Sequence, residues 1–174
     1  FLPDLEGEQE QLEQIADLAG RHSIPVDTIS RGQILSGGSV KLTCLHPGKK
    51  SGSGDANEDS MVLMLECAGI RALFTGDLEG EGEKELLKEQ GEALLEADLL
   101  KVGHHGSKNG TSAEFLEKVK PEAAVISCGE NNRYGHPSPQ VLERLDAAGA
   151  HVYRTDRAGA VILEVKGEKA LIKS

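Results

Sequence analysis

Three polar motifs in this sequence hold side chains that could bind a metal ion. Asp77 lies in FTGDLE, His104 and His105 are adjacent in KVGHHGS, and His136 lies near the end of SCGENNRYGHPS. Each motif follows a predicted β-strand. A carboxylate and several imidazoles are good ligands for Zn²⁺, Mn²⁺ or Fe. The motifs therefore predict one metal site, provided that the three strand ends meet.

Each of these residues also has a purely structural explanation. Asp77 stands where an aspartate often caps the helix that follows. The histidine pair could belong to a solvated loop or bond to the backbone, and His136, directly before Pro137, could anchor its loop. A shared site is the stronger hypothesis, because it explains all the positions at once.

The other three histidines give weaker signals. His46 ends a predicted strand and precedes Pro47, so it is a candidate for an extra ligand, although a structural role is favoured. His22 closes a predicted helix, where a cation suits the helix dipole. His151 begins a strand. No chemistry is assigned to His22 or His151.

The predicted elements explain why the strand ends should meet. Residues 61–67 and 70–75 form a predicted hairpin around Ala68 and Gly69. The next strands, 97–102 and 122–128, each follow a predicted helix. Strands connected in this way run parallel, so their carboxyl ends lie at one edge of the sheet, where ligands bind. The chain is thus predicted to be a single α/β domain with a mixed sheet.

Periodicity and turn residues predict the remaining elements. An amphipathic helix covers 8–21, and a capping box of Thr111 and Glu114 begins another helix. Ser138 caps a further helix that has Pro139 in its first position. Residues 39–46 form a predicted strand, and residues 47–60 form a polar loop. Three predicted strands close the chain at 151–155, 160–165 and 169–173, and DRAG connects the first two of them.

Composition limits the class of protein. A chain of 174 residues fits one domain, and its formal charge of -10 argues against a broad, sequence-independent grip on nucleic acid. A local metal site could still hold a single phosphate. Cys44, Cys67 and Cys128 have no C-x-x-C spacing and are interpreted as small buried hydrophobic residues. The sequence has no long apolar run and no signal-peptide pattern, which predicts a soluble chain.

Three longer segments carry a resemblance to a known family. They are FTGDLEGEGEKELL, the stretch from ADLLKVGHHGS to HPSPQVLERL, and VYRTDRAGAVILEV. Over about residues 38–166 the sequence resembles the metallo-β-lactamase domain at the C-terminus of ComEC-type DNA internalisation competence proteins. HHGS followed by N-x-x-x-HPS is its most specific element.

The resemblance implies an αββα sandwich with a dinuclear metal site at one edge of its sheets. Asp77 would be the bridging ligand. His105 would bind metal and His104 would face the substrate phosphate, although the opposite assignment of the two histidines is nearly as well supported.

The resemblance also implies roles for three further residues. His136, with Asn132, would line the pocket and contact phosphate or donate a proton to the leaving oxygen. Ser107 would hydrogen-bond a group on the metal.

One departure from the family pattern is large. The H-x-H-x-D-H motif, which supplies most ligands of both metals, does not occur in these 174 residues, and the chain begins at Phe1. We therefore expect 1–174 to be a C-terminal portion of the domain, excised from a longer membrane protein and lacking N-terminal sheet strands. An intact domain would hold two divalent ions, Zn²⁺ or Mn²⁺; this chain would bind metal weakly or not at all and be inactive alone.

The implied function of the parent is a metal-dependent nuclease in DNA uptake. Its domain would lie on the extracytoplasmic face, with single-stranded DNA and the rest of the membrane channel as partners. Two alternatives stay open: a hydrolase of a small ester, thioester, lactam or phosphorylcholine substrate, and a degenerate module that binds DNA or a protein. The chain could also form a homo-oligomer through an exposed sheet edge.

Overall fold

The computed structural model describes residues 1–6, 10–49, 52–167 and 169–174, without the side chains of residues 92 and 93. Near its start, two short strands, β1 (Leu2–Pro3) and β2 (Thr28–Ile29), pair in parallel. They flank helix α1 (Glu10–Arg21). The predicted start of this helix at Glu8 lies outside the described residues. Within the described chain no α1 residue is fully buried: Leu12, Ala16 and Ala19 are half-buried, and Ile15 and Leu18 are exposed.

A mixed sheet, as the sequence predicted, forms the centre of the molecule, and the structure shows that it has seven strands. Its strands lie side by side in chain order: β3 (Ile34–Gly37), β4 (Val40–His46), β5 (Val62–Cys67), β6 (Ile70–Phe74), β7 (Leu99–Lys101), β8 (Ala123–Ile126) and β9 (His151–Arg154). Pairs from β3 to β6 are antiparallel, and pairs from β6 to β9 are parallel. The carboxyl ends of β6, β7, β8 and β9 therefore share one edge.

The hairpin and the crossover connections follow from local sequence. Ala68 (φ 50°) and Gly69 (φ 83°) form the two-residue turn between β5 and β6, since both central residues of this turn type need positive φ. The parallel strands are connected through helices, because a parallel pair needs a crossover. These helices are α2 (Gly80–Glu89), α3 (Glu92–Leu95), α4 (Ala113–Val119) and α5 (Pro139–Ala147).

The predicted start of α5 is confirmed and that of α4 is wrong by one residue. Ser138 is the N-cap of α5 and accepts a bond from the Val141 N–H. In α4 the N-cap is Ser112, not Thr111, and its hydroxyl accepts from the Phe115 N–H at 3.1 Å. Thr111 has a φ of 52°, and its N–H instead donates to the buried Glu83 carboxylate. The Glu83 side chain thus accepts the N–H that the predicted capping box would have used.

The last segments also differ from expectation. A short helix, α6 (Thr155–Ala158), covers most of the DRAG segment that was predicted to join two strands. β10 (Ile162–Lys166) and β11 (Lys169–Lys173) then form a separate antiparallel hairpin, so β9 and β10 are not partners.

The core lies between the large sheet and the helices that cross it. Cys44 is buried, Cys67 and Cys128 are half-buried, and all three are free thiols. No described helix combines the length and apolarity needed to cross a membrane. The main buried cluster contains Leu45, Val62, Met64, Leu73, Leu78, Leu86, Leu95, Ala97, Leu100, Val102, Phe115, Leu116, Val119, Ala124, Ile126, Val141, Leu145 and Ala150.

Candidate metal centre

Asp77 and His105 meet at the shared carboxyl edge of the sheet. The Nε2 atom of His105 lies 3.7 Å from Asp77 Oδ1. On the other side of the ring, Nδ1 donates to the Ser127 carbonyl oxygen at 2.6 Å. A carbonyl can only accept, so this bond fixes the proton on Nδ1 and leaves Nε2 of the neutral ring with a free lone pair facing Asp77. Metal-binding histidines commonly use this arrangement.

Hydrogen bonds of the backbone and of two side chains hold the ends of β6 and β7 in place. The His104 N–H donates to the Gly76 carbonyl at 3.1 Å, and the Asp77 N–H donates to Ser60 Oγ at 3.1 Å. Lys101 Nζ donates to the carbonyls of Val102 (2.9 Å) and Gly76 (3.3 Å). Burial lowers the pKa of Lys101, and the charge of Asp77 opposes this shift.

The two histidines occupy an uncommon backbone conformation. His104 (φ 42°) and His105 (φ 55°) both lie in the left-handed region, inside a tight turn at Gly103–Gly106. Few non-glycine residues adopt this conformation, and outside ordinary turns those that do are concentrated at functional sites. The turn points the two adjacent rings to different partners.

His104 is held by Glu79, a residue that sequence reasoning missed. Its Nδ1 lies 2.9 Å from Glu79 Oε2. The same carboxylate accepts from Ser107 Oγ at 3.0 Å and from Asn57 Nδ2 at 3.1 Å. Burial raises the pKa of the Glu79 carboxyl, but its bonds to His104, Ser107 and Asn57 outweigh burial and leave that pKa lowered. The available signal was a second carboxylate in FTGDLE, two residues after Asp77.

His136 completes the cluster from the loop after β8. Its ring centroid lies 5.7 Å from that of His104. Burial lowers the pKa of His136, the charges of His104 and His105 lower it further, and Glu79 opposes them. The imidazole is therefore more readily kept neutral than a free histidine.

Asn132 and Ser107 lie at the site, but their polar groups are engaged within the protein. Asn132 Nδ2 donates to the carbonyls of His136 (2.6 Å) and Gly129 (2.9 Å), and its Oδ1 accepts from the His136 N–H at 3.0 Å. The Ser107 hydroxyl donates to Glu79 and accepts from the Asn109 N–H at 3.3 Å. Both side chains position the loops that carry the histidines.

Gly106 allows the two histidine-bearing loops to approach each other. It has a φ of 86°, and a Cβ added there would lie 2.6 Å from Pro137 Cβ. Its carbonyl accepts from the Ser138 N–H at 2.9 Å. Any side chain at this position would push the two loops apart.

A cleft of ≈ 210 Å³ opens beside the cluster and is lined by His105, Cys128, Gly129, Asn132, Tyr134 and His136. A larger cavity of ≈ 540 Å³ lies along α2 and is rich in carboxylates, but none of its lining residues is a histidine. The smaller cleft is therefore the better candidate for a substrate site.

The remaining histidines have other surroundings. His46 is buried, and its Nε2 donates to the Glu58 carbonyl at 2.9 Å. His22 and His151 are exposed, and His151 packs against Tyr153.

The described residues fit part of a metal site. Bonds of about 2.0–2.2 Å from His105 Nε2 and Asp77 Oδ1 to one ion are compatible with their 3.7 Å separation. Across the described residues, however, no group of three or more His, Cys, Asp or Glu side chains is arranged to hold an ion. The described part of the chain thus supplies two donors, fewer than a zinc site uses.

Comparisons with known proteins place this chain in a family. The sequence profile of the Metallo-beta-lactamase superfamily matches residues 53–130, a range that includes Asp77 and the histidine pair and stops before His136. The chain is 37% identical over 149 residues to ComE operon protein 3 of Bacillus subtilis (86% of the chain, 19% of the relative). It is 40% identical over 122 residues to Competence protein ComA of Neisseria gonorrhoeae (70% of the chain, 17% of the relative).

A third relative, Recombination protein 2 of Haemophilus influenzae, is 36% identical over 105 residues, which are 60% of the chain and 13% of the relative. The chain thus spans less than a fifth of the length of any of these three relatives. Together with the mixed sheet and the cluster at its carboxyl edge, these matches show that the chain belongs to the Metallo-beta-lactamase superfamily and is related to competence proteins of the ComEC type.

Proposed function

We propose that this chain is the C-terminal portion of a metal-dependent phosphodiesterase domain that cleaves DNA during uptake by a competence protein. The observation that carries the proposal is the Asp77–His105 pair, with the imidazole Nε2 turned toward the carboxylate. The names of the similar proteins supply the competence context. Under this proposal the other metal ligands come from an H-x-H-x-D-H motif upstream of Phe1.

Asp77 and His105 would hold the metal, with Zn²⁺ or Mn²⁺ as the candidate ions. Such an ion acidifies water and neutralises charge on a phosphate. The Ser127 carbonyl keeps His105 in the tautomer whose Nε2 can bind. The Asp77 N–H donates to Ser60 Oγ, and among the described residues the contact of its carboxylate is the 3.7 Å approach to His105 Nε2, so the carboxylate can serve as a ligand.

His104 and His136 would act on the substrate. His104, whose Nδ1 lies against Glu79, would contact a phosphate oxygen. The lowered pKa of His136 favours its neutral form, so His136 would have to take up a proton from solvent before it could protonate the departing oxygen. In this scheme Ser107 and Asn132 act as positioning residues.

A small-molecule hydrolase is the second candidate, with an ester, thioester, lactam or phosphorylcholine substrate. The formal charge of -10 and the small size of the ≈ 210 Å³ cleft favour it, because polyanionic DNA gains little from such a surface. The local phosphate site of the first proposal does not need a basic surface.

The test is hydrolysis by the protein encoded by the complete gene, supplied with Mn²⁺ or Zn²⁺ and with EDTA as the metal-free control. Labelled single-stranded and duplex DNA are compared with a lactam, a thioester and a phosphorylcholine ester. We expect DNA cleavage that disappears in Asp77→Asn and His105→Ala, and that persists in the matched control His151→Ala. Turnover of only the small substrates supports the second candidate, and turnover of none supports a degenerate binding module.

Partners are proposed on the same basis. Single-stranded DNA and the membrane channel of the parent would be the partners, with this domain on the extracytoplasmic face. Pairing between two copies would use β3, which forms an edge of the large sheet and exposes 53% of Ile34. Light scattering on the wild type and on Ile34→Lys tests this pairing, since a dimer that survives the lysine contradicts it.

A further inference from the structure

Tyr134 lies at the rim of the candidate substrate cleft and has no part in the proposed chemistry. It is 66% exposed, in a chain that has only two tyrosines, three phenylalanines and no tryptophan. A single exposed aromatic side chain is ordinary on a protein surface. Tyr134 differs because it is built into an ordered group of rings next to the histidine cluster.

The Tyr134 ring is nearly parallel to the ring of His136. The two centroids are 5.9 Å apart, with an interplanar angle of 18°. Arg133 holds the hydroxyl end of the Tyr134 side chain. Its Nη2 donates to the Tyr134 hydroxyl at 2.7 Å, and its guanidinium carbon lies 4.9 Å from the Tyr134 ring centroid. Asn132 holds the backbone of His136. The two rings are therefore preorganised.

The space beside these rings is open and largely apolar. The cleft of ≈ 210 Å³ is bounded by Tyr134, His136, His105, Cys128 and Gly129. A Cβ added to Gly129 would meet no atom within 4 Å, so the space beside the backbone there is open. An aromatic ring placed in this cleft would lie next to His136, which is assigned to the phosphate, and next to His105, the candidate metal ligand.

We propose that Tyr134 and His136 form a stacking platform for the nucleobase of the nucleotide next to the phosphate that is cleaved. This inference rests on the proposed nuclease function and names the part of the substrate that the cleft binds. Aromatic side chains bind single strands in this way without sequence preference, because every base has a π-face. The guanidinium of Arg133 would be available to an adjacent phosphate.

The negative charge of the chain explains why a stacking contact would be needed to bind DNA. A net charge of -10 provides no general attraction for DNA, so the strand must be retained by local contacts. Stacking is such a contact, and it requires an unpaired base. The platform would therefore favour single-stranded over duplex DNA.

The experiment is an NMR titration of the 174-residue chain with three probes: thymidine 5′-monophosphate, deoxyribose 5-phosphate and thymidine. Only Tyr134 and Tyr153 contribute tyrosine ring signals, so Tyr153→Phe leaves Tyr134 as the sole reporter. We expect thymidine monophosphate to shift the Tyr134 signals and deoxyribose phosphate to leave them in place. Tyr134→Ala should weaken binding of the nucleotide by about tenfold, while Tyr134→Phe keeps stacking.

The outcomes separate the platform from the nuclease proposal. Equal affinity for the nucleotide and the sugar phosphate, or an unchanged affinity in Tyr134→Ala, overturns the platform and leaves the phosphate site standing. Binding of thymidine as tight as that of the nucleotide supports the platform and counts against the phosphate site. No binding of any probe at millimolar concentration overturns the platform. Tyr134 is exposed, so an unchanged thermal transition in each variant checks that the fold is intact.

Discussion

The imidazole of His105 bridges two strand ends, with Nδ1 donating to the Ser127 carbonyl at 2.6 Å and Nε2 lying 3.7 Å from Asp77 Oδ1. One ring thus connects the loop after β8 to the segment after β6. The orientation of the His105 ring can be tested without a metal ion. In ¹⁵N NMR spectra at neutral pH, neutral His105 should be protonated on Nδ1, whereas exposed His22 should show the mixture typical of free histidine. An Nε2-protonated His105 would contradict the assignment of that nitrogen as a ligand.

Glu79→Gln should disturb both stability and the site. The amide keeps one oxygen acceptor but turns an NH₂ group toward the donors Ser107 or Asn57. We expect a loss of about 1–2 kcal/mol in the free energy of unfolding, measured by urea denaturation. Glu81→Gln is the matched control, since the Glu81 carboxylate forms an exposed pair with Lys84 and the substitution should change stability by less than about 0.5 kcal/mol. Equal effects from the two variants would refute the role of Glu79.

Gly106→Ala should be far more destabilising than the same change at Gly135. Both glycines have positive φ, but only Gly106 would place a Cβ against Pro137, at 2.6 Å, while a Cβ at Gly135 meets no atom within 4 Å. We expect losses of about 2–4 kcal/mol at Gly106 and about 1 kcal/mol at Gly135, because the clash adds to the backbone penalty. Chemical denaturation of both variants provides the comparison, and similar losses would argue against close packing of the two loops.

Ser112→Ala should cost about 1 kcal/mol of stability, because the Ser112 hydroxyl accepts the Phe115 N–H at the start of α4. Glu114, the partner expected in a capping box with Thr111, is exposed. Glu114→Gln should therefore be neutral. The measurement is thermal unfolding of both variants. A larger loss of stability in Glu114→Gln than in Ser112→Ala would support the predicted capping box instead.

Asp156→Asn should lower stability in a pH-dependent way. The paired Arg154 guanidinium, which donates at 3.0 and 2.6 Å, lowers the pKa of Asp156 from 3.8 to about 2. A carboxyl with a depressed pKa contributes fully above its ordinary pKa, and this contribution is lost as the pH falls through its folded value. We expect the variant to be on the order of 1 kcal/mol less stable at pH 7.

This difference should shrink between pH 4 and pH 2, in the window bounded by the two pKa values of Asp156. Asp146→Asn, at an exposed position on α5, is the control and should show little change. The measurement is urea denaturation at several pH values. A difference that stays constant down to pH 2 would exclude the Arg154 pair as its source.

The sequence alone determined the sheet and the edge at which the site lies. Alternating strands and helices require parallel pairs, and the order of β6, β7 and β8 places Asp77 and the histidine pair at their common carboxyl edge. The β5–β6 hairpin and the Ser138 cap were also predictable. The hairpin and the cap depend on residues within a few positions of each other, where turn geometry and hydrogen bonding act locally.

Only the tertiary structure decided which atom faces which partner. Adjacent His104 and His105 look equivalent in sequence, and their separate orientations depend on Glu79 and Ser127, which come from different strand ends. The Ser112 cap was missed for the same reason, because Glu83 on α2 binds the Thr111 N–H that the local motif would have used. Contacts of this kind depend on how distant segments pack against each other, and no local pattern of residues encodes that packing.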